Sequence, residues 1–384
     1  MSFNHKMKDF VENGSIIDRE DDSSGPITVP YRPSDIRIDT HPMNLGDLIE
    51  MIDAKWINFD TEYQRLQNLW SEDVQSRFIE SILLGLRLPA FYFEEVTRRE
   101  WNIIDGLQRC CAIRNFCVDK TFKLSGLEFL GKDFDGKGYD DFPFEVRRDV
   151  RMLPVTVNIL ERGTPPSVKY ILFKRLNTAG VTLKPQEIRT AMYQSVVPVL
   201  RRMTESPDFI RVTGGKISPK RQDDKDFVSR FIAFYLQGFD AYKPDADLDS
   251  FVNDGMEILS KKVEVKSSSV EAMEKEFSRA LCIAEKIFGE DAFRKRLNKN
   301  DSRKPLNKAY FEVLTVTFSK LSDEEASFLI KQKELLQANL IRLMNRPVFL
   351  TSISTGTGMH DRVQTRFRGV VDAIDATMHK QVLE

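Results

Sequence analysis

From Trp101 to Arg109 the chain reads Trp101-Asn102-Ile103-Ile104-Asp105-Gly106-Leu107-Gln108-Arg109, an apolar strand that runs into an acid, a glycine, an amide and an arginine. That order of residues predicts strand, tight turn, helix. Ala90-Phe91-Tyr92-Phe93-Glu94 precedes it across Thr97-Arg98-Arg99-Glu100, so the strand is expected to be the second arm of a hairpin. A helix that starts at such a junction leaves backbone N–H groups without intrahelical partners, and its dipole favours an anion there. Gly106 lets a phosphate approach the backbone, and Arg109, one turn in, can fork onto it. A plainer reading stands beside this one, in which Asp105 only caps the helix.

Two other segments carry similar chemistry. Tyr63-Gln64-Arg65 lies upstream, and Phe173-Lys174-Arg175-Leu176-Asn177-Thr178-Ala179-Gly180 lies downstream. Arg65 has the reach to supply a second cation, or is a surface arginine. Asn177, with Thr178 and Gly180, follows a helix, where an amide addresses a ligand or caps its own backbone. Taken in order, with Trp70 after the first segment and Leu84-Gly85-Leu86-Arg87-Leu88-Pro89 before the hairpin, these elements resemble the N-terminal domain family of GmrSD-type restriction endonucleases. The resemblance is close from about Asn44 to Tyr193 and looser through Phe251. One position departs from the family pattern: where it has the first glutamine of DGQQR, this chain has Leu107.

That family is related to ParB and sulfiredoxin. The implied fold is therefore α+β: a ParB/sulfiredoxin-like domain with a small mixed sheet and flanking helices, followed by an all-helical C-terminal domain. The expected boundaries are a flexible arm over 1–30, the nucleotide-binding domain over 31–195 and the helical domain over 196–384. The resemblance implies that Arg109, Gly106 and backbone amides hold the phosphate of a nucleoside triphosphate of unspecified base. Tyr63, Gln64, Arg65, Asn177, Thr178 and Gly180 would complete that pocket. Asp105 would position a water or a Mg2+ ion, and Gln108 would orient the reacting group or a base edge. The implied role is a nucleotide-binding, NTP-hydrolysing module of a bacterial restriction or anti-phage defence system, acting with DNA and a separate nuclease or other defence protein. The alternative is a non-catalytic DNA- or protein-binding adaptor that keeps the pocket for sensing, and Leu107 favours it. Assembly into a homo-oligomer is compatible with either.

Composition narrows the field without choosing within it. Lys and Arg number 57 against 58 acidic residues among 384, so overall charge draws the chain to neither nucleic acid nor membrane. No apolar run approaches the roughly 20 residues of a membrane span, and the N-terminus lacks a signal-peptide core, which makes cytoplasmic the expectation. Cys110, Cys111 and Cys117 crowd the helix after the signature without a CxxC pair and are expected as small buried apolar groups. The four histidines, His5, His41, His360 and His379, have no ligand partners at zinc spacing. Nor do they cluster as in the His-Asn-His nuclease domain of GmrSD-type enzymes, so self-contained cutting by that mechanism is not expected.

The remaining pattern is mostly regular. Ile36-Arg37-Ile38-Asp39 and Trp56 to Phe59 are predicted strands, with a helix between them that Asn44 caps and that faces inward through Leu45, Leu48, Ile49 and Ile52. Ser71 is expected to cap a helix with Val74, Phe78, Ile82 and Leu86 inward, an Asp73–Arg77 pair, and Arg77 and Glu80 on a solvated face. Leu153 to Leu160 is β-rich, with Pro154 at an edge or at the strand's start. Gly131 to Asp141 reads as a surface loop. Beyond Pro165 helices dominate, with stripes Phe227/Phe231/Phe234, Met273/Phe277/Leu281/Ala284/Phe288 and Val363/Phe367/Val370/Ile374/Met378, and a capping box at Ser322 and Glu325. Short basic runs at Arg147-Arg148 with Arg151, at Lys216 with Lys220-Arg221, and at Arg294 to Lys304 are candidate DNA contacts or solvated faces. Ser352 to Gly358 is a weaker candidate anion nest, without the lysine of a P-loop.

Overall fold

A computed structural model of the chain describes residues 17, 18, 20, 21, 37–59, 70–176 and 184–383. They divide into two compact units, Tyr31–Leu183 and a second that joins Met1–Pro30 to Lys184–Glu384. The class is α+β, a mixed sheet followed by helices. Among the described residues no helix is long and apolar enough to cross a membrane.

The first unit contains β1 (Ile38–Asn44), α1 (Leu45–Asp53), β2 (Ile57–Asn58), α2 (Glu72–Leu83), β3 (Phe91–Thr97), β4 (Glu100–Asp105), α3 (Leu107–Ile113), α4 (Phe144–Met152), β5 (Pro154–Leu160) and α5 (Pro166–Leu176). The sheet order is β1-β5-β3-β4-β2. β1 pairs antiparallel with β5 and β3 with β4, whereas β5/β3 and β4/β2 are parallel. Alternation explains the inner face: Phe91 and Phe93 of β3 and Val155, Val157 and Ile159 of β5 are buried, as are Leu45, Leu48, Ile49 and Ile52 of α1. Asn44 caps α1, and its N–H donates to Asp47 Oδ2 at 3.1 Å. Pro154, at the start of β5, faces Asn44, so a central strand begins with the residue that lacks a donor.

Four expectations for this unit change. α2 ends at Leu83, which leaves Leu86 beyond the helix and exposed; the buried face is instead Gln75, Ser76, Ile79, Glu80 and Ile82. Asp73 accepts from Ser125 Oγ at 3.1 Å rather than pairing with Arg77. Glu80 is not solvated. It is 3% exposed and accepts from the N–H groups of Glu128, Phe129 and Leu130 at 3.0, 2.7 and 2.7 Å. Burial alone would raise this carboxyl, but the three backbone donors outweigh it and hold Glu80 below the usual range. The glycine-rich stretch after it is also partly regular, with a helical turn at Gly131–Phe134 and a 3-10 turn at Tyr139–Asp141.

The second unit consists of helices: α6 (Pro185–Met192), α7 (Val197–Thr204), α8 (Pro207–Thr213), α9 (Asp223–Gln237), α10 (Leu248–Glu264), α11 (Ser268–Phe288), α12 (Lys308–Ser319), α13 (Asp323–Lys331), α14 (Lys333–Met344), α15 (Pro347–Ser352) and α16 (His360–Met378). Phe227, Phe231 and Phe234 of α9 are fully buried and meet Phe311, Phe277 and Phe367 edge-on or tilted. The expected capping box forms, with Glu325 N–H donating to Ser322 Oγ at 3.2 Å. Ile17, Asp18, Glu20 and Asp21, expected in a flexible arm, are instead held in this unit by backbone bonds to Leu306, Ser354 and Thr357. The sequence there is too polar to pack by itself, but the described residues find backbone and charge partners here.

Those charge partners run through the core. Asp226 of α9 faces Lys308 at 2.7 Å, Arg189 at 3.5 Å and Arg230 at 3.9 Å, and Glu312 pairs with fully buried Arg366 at 2.7 Å. Burial pushes the Asp226 carboxyl up, yet the Lys308, Arg230 and Arg189 charges overcome it and set it far below the ordinary carboxylate range. A depressed carboxyl contributes stability above its unfolded pKa of about 3.9 and loses it as pH falls toward the folded value. Asp226→Asn leaves buried cations short of a counter-charge and is expected to lower the unfolding free energy by ~3–5 kcal/mol at neutral pH in urea titrations. The gap to the unsubstituted protein should narrow below about pH 4. A gap independent of pH would rule out the electrostatic account.

Candidate functional site

The predicted strand–turn–helix junction forms as read. Asp105 closes β4 opposite Tyr92, and Gly106 stands before α3 at φ +101°. Only glycine takes that conformation without strain. A Cβ at this position would lie 2.8 Å from Phe91 Cδ1 and 3.3 Å from Arg109 Nη2. The turn is therefore packed from above by a ring and a guanidinium. As the N-cap residue, Gly106 offers no side-chain hydrogen bond to the first turn of α3.

Arg109 is the centre of the arrangement. Its Nη2 donates to Asp105 Oδ2 at 2.9 Å and to Ala90 O at 3.3 Å, and its Nη1 donates to Pro89 O. Its guanidinium lies 4.6 Å from the centroid of the Phe91 ring. The side chain is 12% exposed and that of Asp105 30%, so the pair sits at a surface without reaching into bulk water. Arg109 thus ties the approach to β3, the end of β4 and the start of α3 together. The sequence implied a phosphate cation; the structure adds three oxygen partners that such a phosphate must share or displace.

The other expected residues fall in three groups. Gln108 Oε1 accepts from Trp70 N–H at 3.3 Å, so this amide holds the residue that follows the Tyr63-Gln64-Arg65 stretch. Leu107, in place of the family's glutamine, is partly buried and packs against the core of the sheet unit. Tyr63, Gln64, Arg65, Asn177, Thr178 and Gly180 lie outside the described residues. What borders them is informative. Phe59, just before the 60–69 segment, lies under the Arg114 guanidinium at 4.4 Å, and Trp70, just after it, is bound by Gln108. Both ends of the segment are tethered to α3 and the turn Arg114–Val118 that continues it. α5, which leads to Asn177, packs against β4.

Sequence reasoning missed the support behind Gln108. Asn115 Nδ2 donates to Gln75 Oε1 at 3.0 Å, and Gln75 Nε2 donates to Trp70 O at 3.0 Å, a relay of buried amides between α2 and the signature helix. A signal existed: Gln75, Ile79 and Ile82 share one face of α2 at helical spacing, and a polar residue on an apolar face calls for a partner. Cys110, Cys111 and Cys117 are buried free thiols. Burial pushes Cys110 and Cys117 up, Cys117 to about 12, which removes thiolate chemistry from them.

A divalent ion at the turn would need several oxygen ligands. Among the described residues no cluster of three His, Cys, Asp or Glu side chains could hold a metal. Asp105 is already bound to Arg109, so the described residues do not by themselves fit a Mg2+ ion. The basic runs are also largely engaged: Arg148 with Asp149, Arg151 with Glu50, Arg221 with Glu187, Lys295 with Asp18, Arg296 with Asp291 and Arg303 with Glu290.

Residues 45–194 match the family model of the GmrSD restriction endonuclease N-terminal domain. This part of the chain is similar to the GmrSD-type N-terminal domain. The matched range holds the whole Arg109 junction and both undescribed segments that the sequence grouped with it. No curated protein and no solved structure matches the chain.

In the GmrSD-like region, Gly106→Ala should be disruptive out of proportion to its size. It forces a side chain to positive φ and drives a methyl group against Phe91, for an expected loss of ~1–3 kcal/mol. Thermal unfolding measures it, and an unchanged midpoint would show that Phe91 and Arg109 yield freely.

Proposed function

We propose that this chain is a nucleotide-binding component of a restriction or anti-phage defence system, with the nucleotide's phosphates at the Asp105 to Arg109 turn. The observation that carries the reading is the closed glycine bend itself. Gly106 brings the start of α3 to a point directly below a guanidinium that four neighbouring groups hold in place. A preorganised guanidinium beside a helix start suits phosphate, because little side-chain freedom remains to be lost on binding. The tethering of 60–69 at both ends supports a contribution from Tyr63, Gln64 and Arg65, and the packing of α5 on β4 supports one from Asn177, Thr178 and Gly180.

Binding then works as an exchange of partners. A phosphate oxygen takes the place of Asp105 Oδ2 on Arg109, and the freed carboxylate turns to a water. In hydrolysis that water's oxygen would attack the terminal phosphorus, Asp105 would accept its proton, and the leaving diphosphate would keep the electrons of the broken P–O bond. The family name supports a DNA partner, and a nuclease on a separate chain is part of the proposal.

The second reading, a non-catalytic adaptor, is favoured by Leu107, whose packing against the core leaves the family's glutamine position without a polar group. Titration of a nucleoside triphosphate series separates the two. Unsubstituted protein should bind one of the series, and Arg109→Ala should weaken it by about ten- to a hundredfold, as loss of a charge-assisted contact does. Asp105→Ala should keep binding and abolish phosphate release. Binding without release in the unsubstituted protein selects the adaptor; no binding by a folded protein removes both.

A further inference from the structure

Side-chain amides grip the backbone of Trp70 from both sides. Gln108 Oε1 accepts from the Trp70 N–H at 3.3 Å, and Gln75 Nε2 donates to the Trp70 C=O at 3.0 Å. Gln75 Oε1 in turn accepts from Asn115 Nδ2 at 3.0 Å. Gln108 lies in the first turn of α3, and Asn115 lies in the π turn Arg114–Val118 that continues this helix. The bonds therefore leave the signature helix at one residue and return to it at another, and Gln75 of α2 supplies both links in the middle. The Trp70 ring packs on the same helix, 5.6 Å from the Phe78 ring between centroids.

Packing alone does not account for Gln75. It is buried on the face of α2 that carries Ile79 and Ile82, where an apolar side chain of the same length would fill the space without an amide to satisfy. What the amide adds is direction. Its donor and acceptor are fixed relative to each other, so the end that bonds Trp70 aims the other at Asn115, and each bond polarises the next. The same holds for Gln108: with Oε1 anchored on the Trp70 N–H, its planar amide has Nε2 set in one direction. Gln108 is the neighbour of Arg109 in the first turn of α3, so its orientation bears on the phosphate site directly. The turn that carries Asn115 points the same way, because a single π turn continuing a helix is rare and recurs at functional sites.

We propose that Gln75 is a positioning residue of the phosphate site: through the Trp70 backbone it holds Gln108 in the orientation that the ligand meets beside Arg109. This role rests on the reading that the Asp105 to Arg109 turn binds nucleotide phosphate. Gln75→Met keeps the length of the side chain and removes both of its bonds. In the ligand-free full chain, hydrogen exchange at the Trp70 N–H should quicken. In titrations of the nucleoside triphosphate series, affinity should fall about five- to tenfold, as loss of one directing hydrogen bond does. Ser76→Ala is the comparison on the same helix. It removes the bond that Ser76 Oγ accepts from the Ser125 N–H at 3.1 Å and should leave affinity unchanged. In a Gln108→Met background, Gln75→Met should add no further loss, because its route to the site is already cut. A merely structural role would weaken binding equally in both backgrounds. If Gln75→Met does not fold, Gln75→Asn, which draws the amide back from Trp70, should give the same pattern. Unaltered exchange at Trp70, affinity within about twofold of the unsubstituted protein, or equal losses with and without Gln108 would overturn the role of Gln75 and leave the phosphate reading standing. If the unsubstituted protein binds none of the series, the phosphate reading itself fails and the positioning role falls with it.

Discussion

A single guanidinium holds the candidate site together. Arg109 is planar, permanently charged and able to donate in several directions, and its two Nη atoms meet oxygens from two parts of the chain: Pro89 and Ala90 before β3, and Asp105 at the end of β4. Its face lies on Phe91, a fully buried residue of the sheet. A lysine could satisfy one of these contacts but not the fork and the stacked face together. The same side chain packs over the Gly106 bend at the start of α3, the helix whose Gln108 holds Trp70. On the carboxylate side its ion pair with Asp105 is 30% exposed, so that contact is open to exchange.

The helical unit solves a different problem by related means. Its apolar stripes would suffice to pack it, yet charged residues run through the same core around Asp226 and Glu312. Burial raises the Glu20 and Glu312 carboxyls, and neighbouring arginines oppose that rise. Such networks are costly to leave incomplete and stabilise only when each charge finds a partner. Asp18 and Glu20 of the N-terminal segment join this one through Lys295 and Arg230.

Much of the secondary structure was legible in the sequence because its periodicities are strong. The hairpin, the αL glycine, the inward face of α1, the phenylalanine stripe of α9 and the Ser322 capping box all correspond to local rules whose partners lie within a few residues. The failures share a cause. Glu80 looks like a solvated residue until the N–H groups of Glu128 to Leu130 arrive from about fifty positions away, and Asp18 and Glu20 look disordered until Lys295 and Ala309 do. Leu86 fits the stripe of α2 numerically, but the helix has ended before it. Local pattern carries no term for a partner distant in the chain.

The sequence by itself determined that a strand would turn at Gly106 into a helix bearing Arg109, because steric freedom at glycine and apolar alternation are properties of the residues alone. It also determined the family resemblance that the match over 45–194 bears out. Only the tertiary structure decided what Arg109 holds, which amides support Gln108, and where the acidic N-terminal segment lies. Hydrogen bonds and ion pairs depend on distances of a few ångströms between groups far apart in the chain, and those distances exist only once the chain has folded.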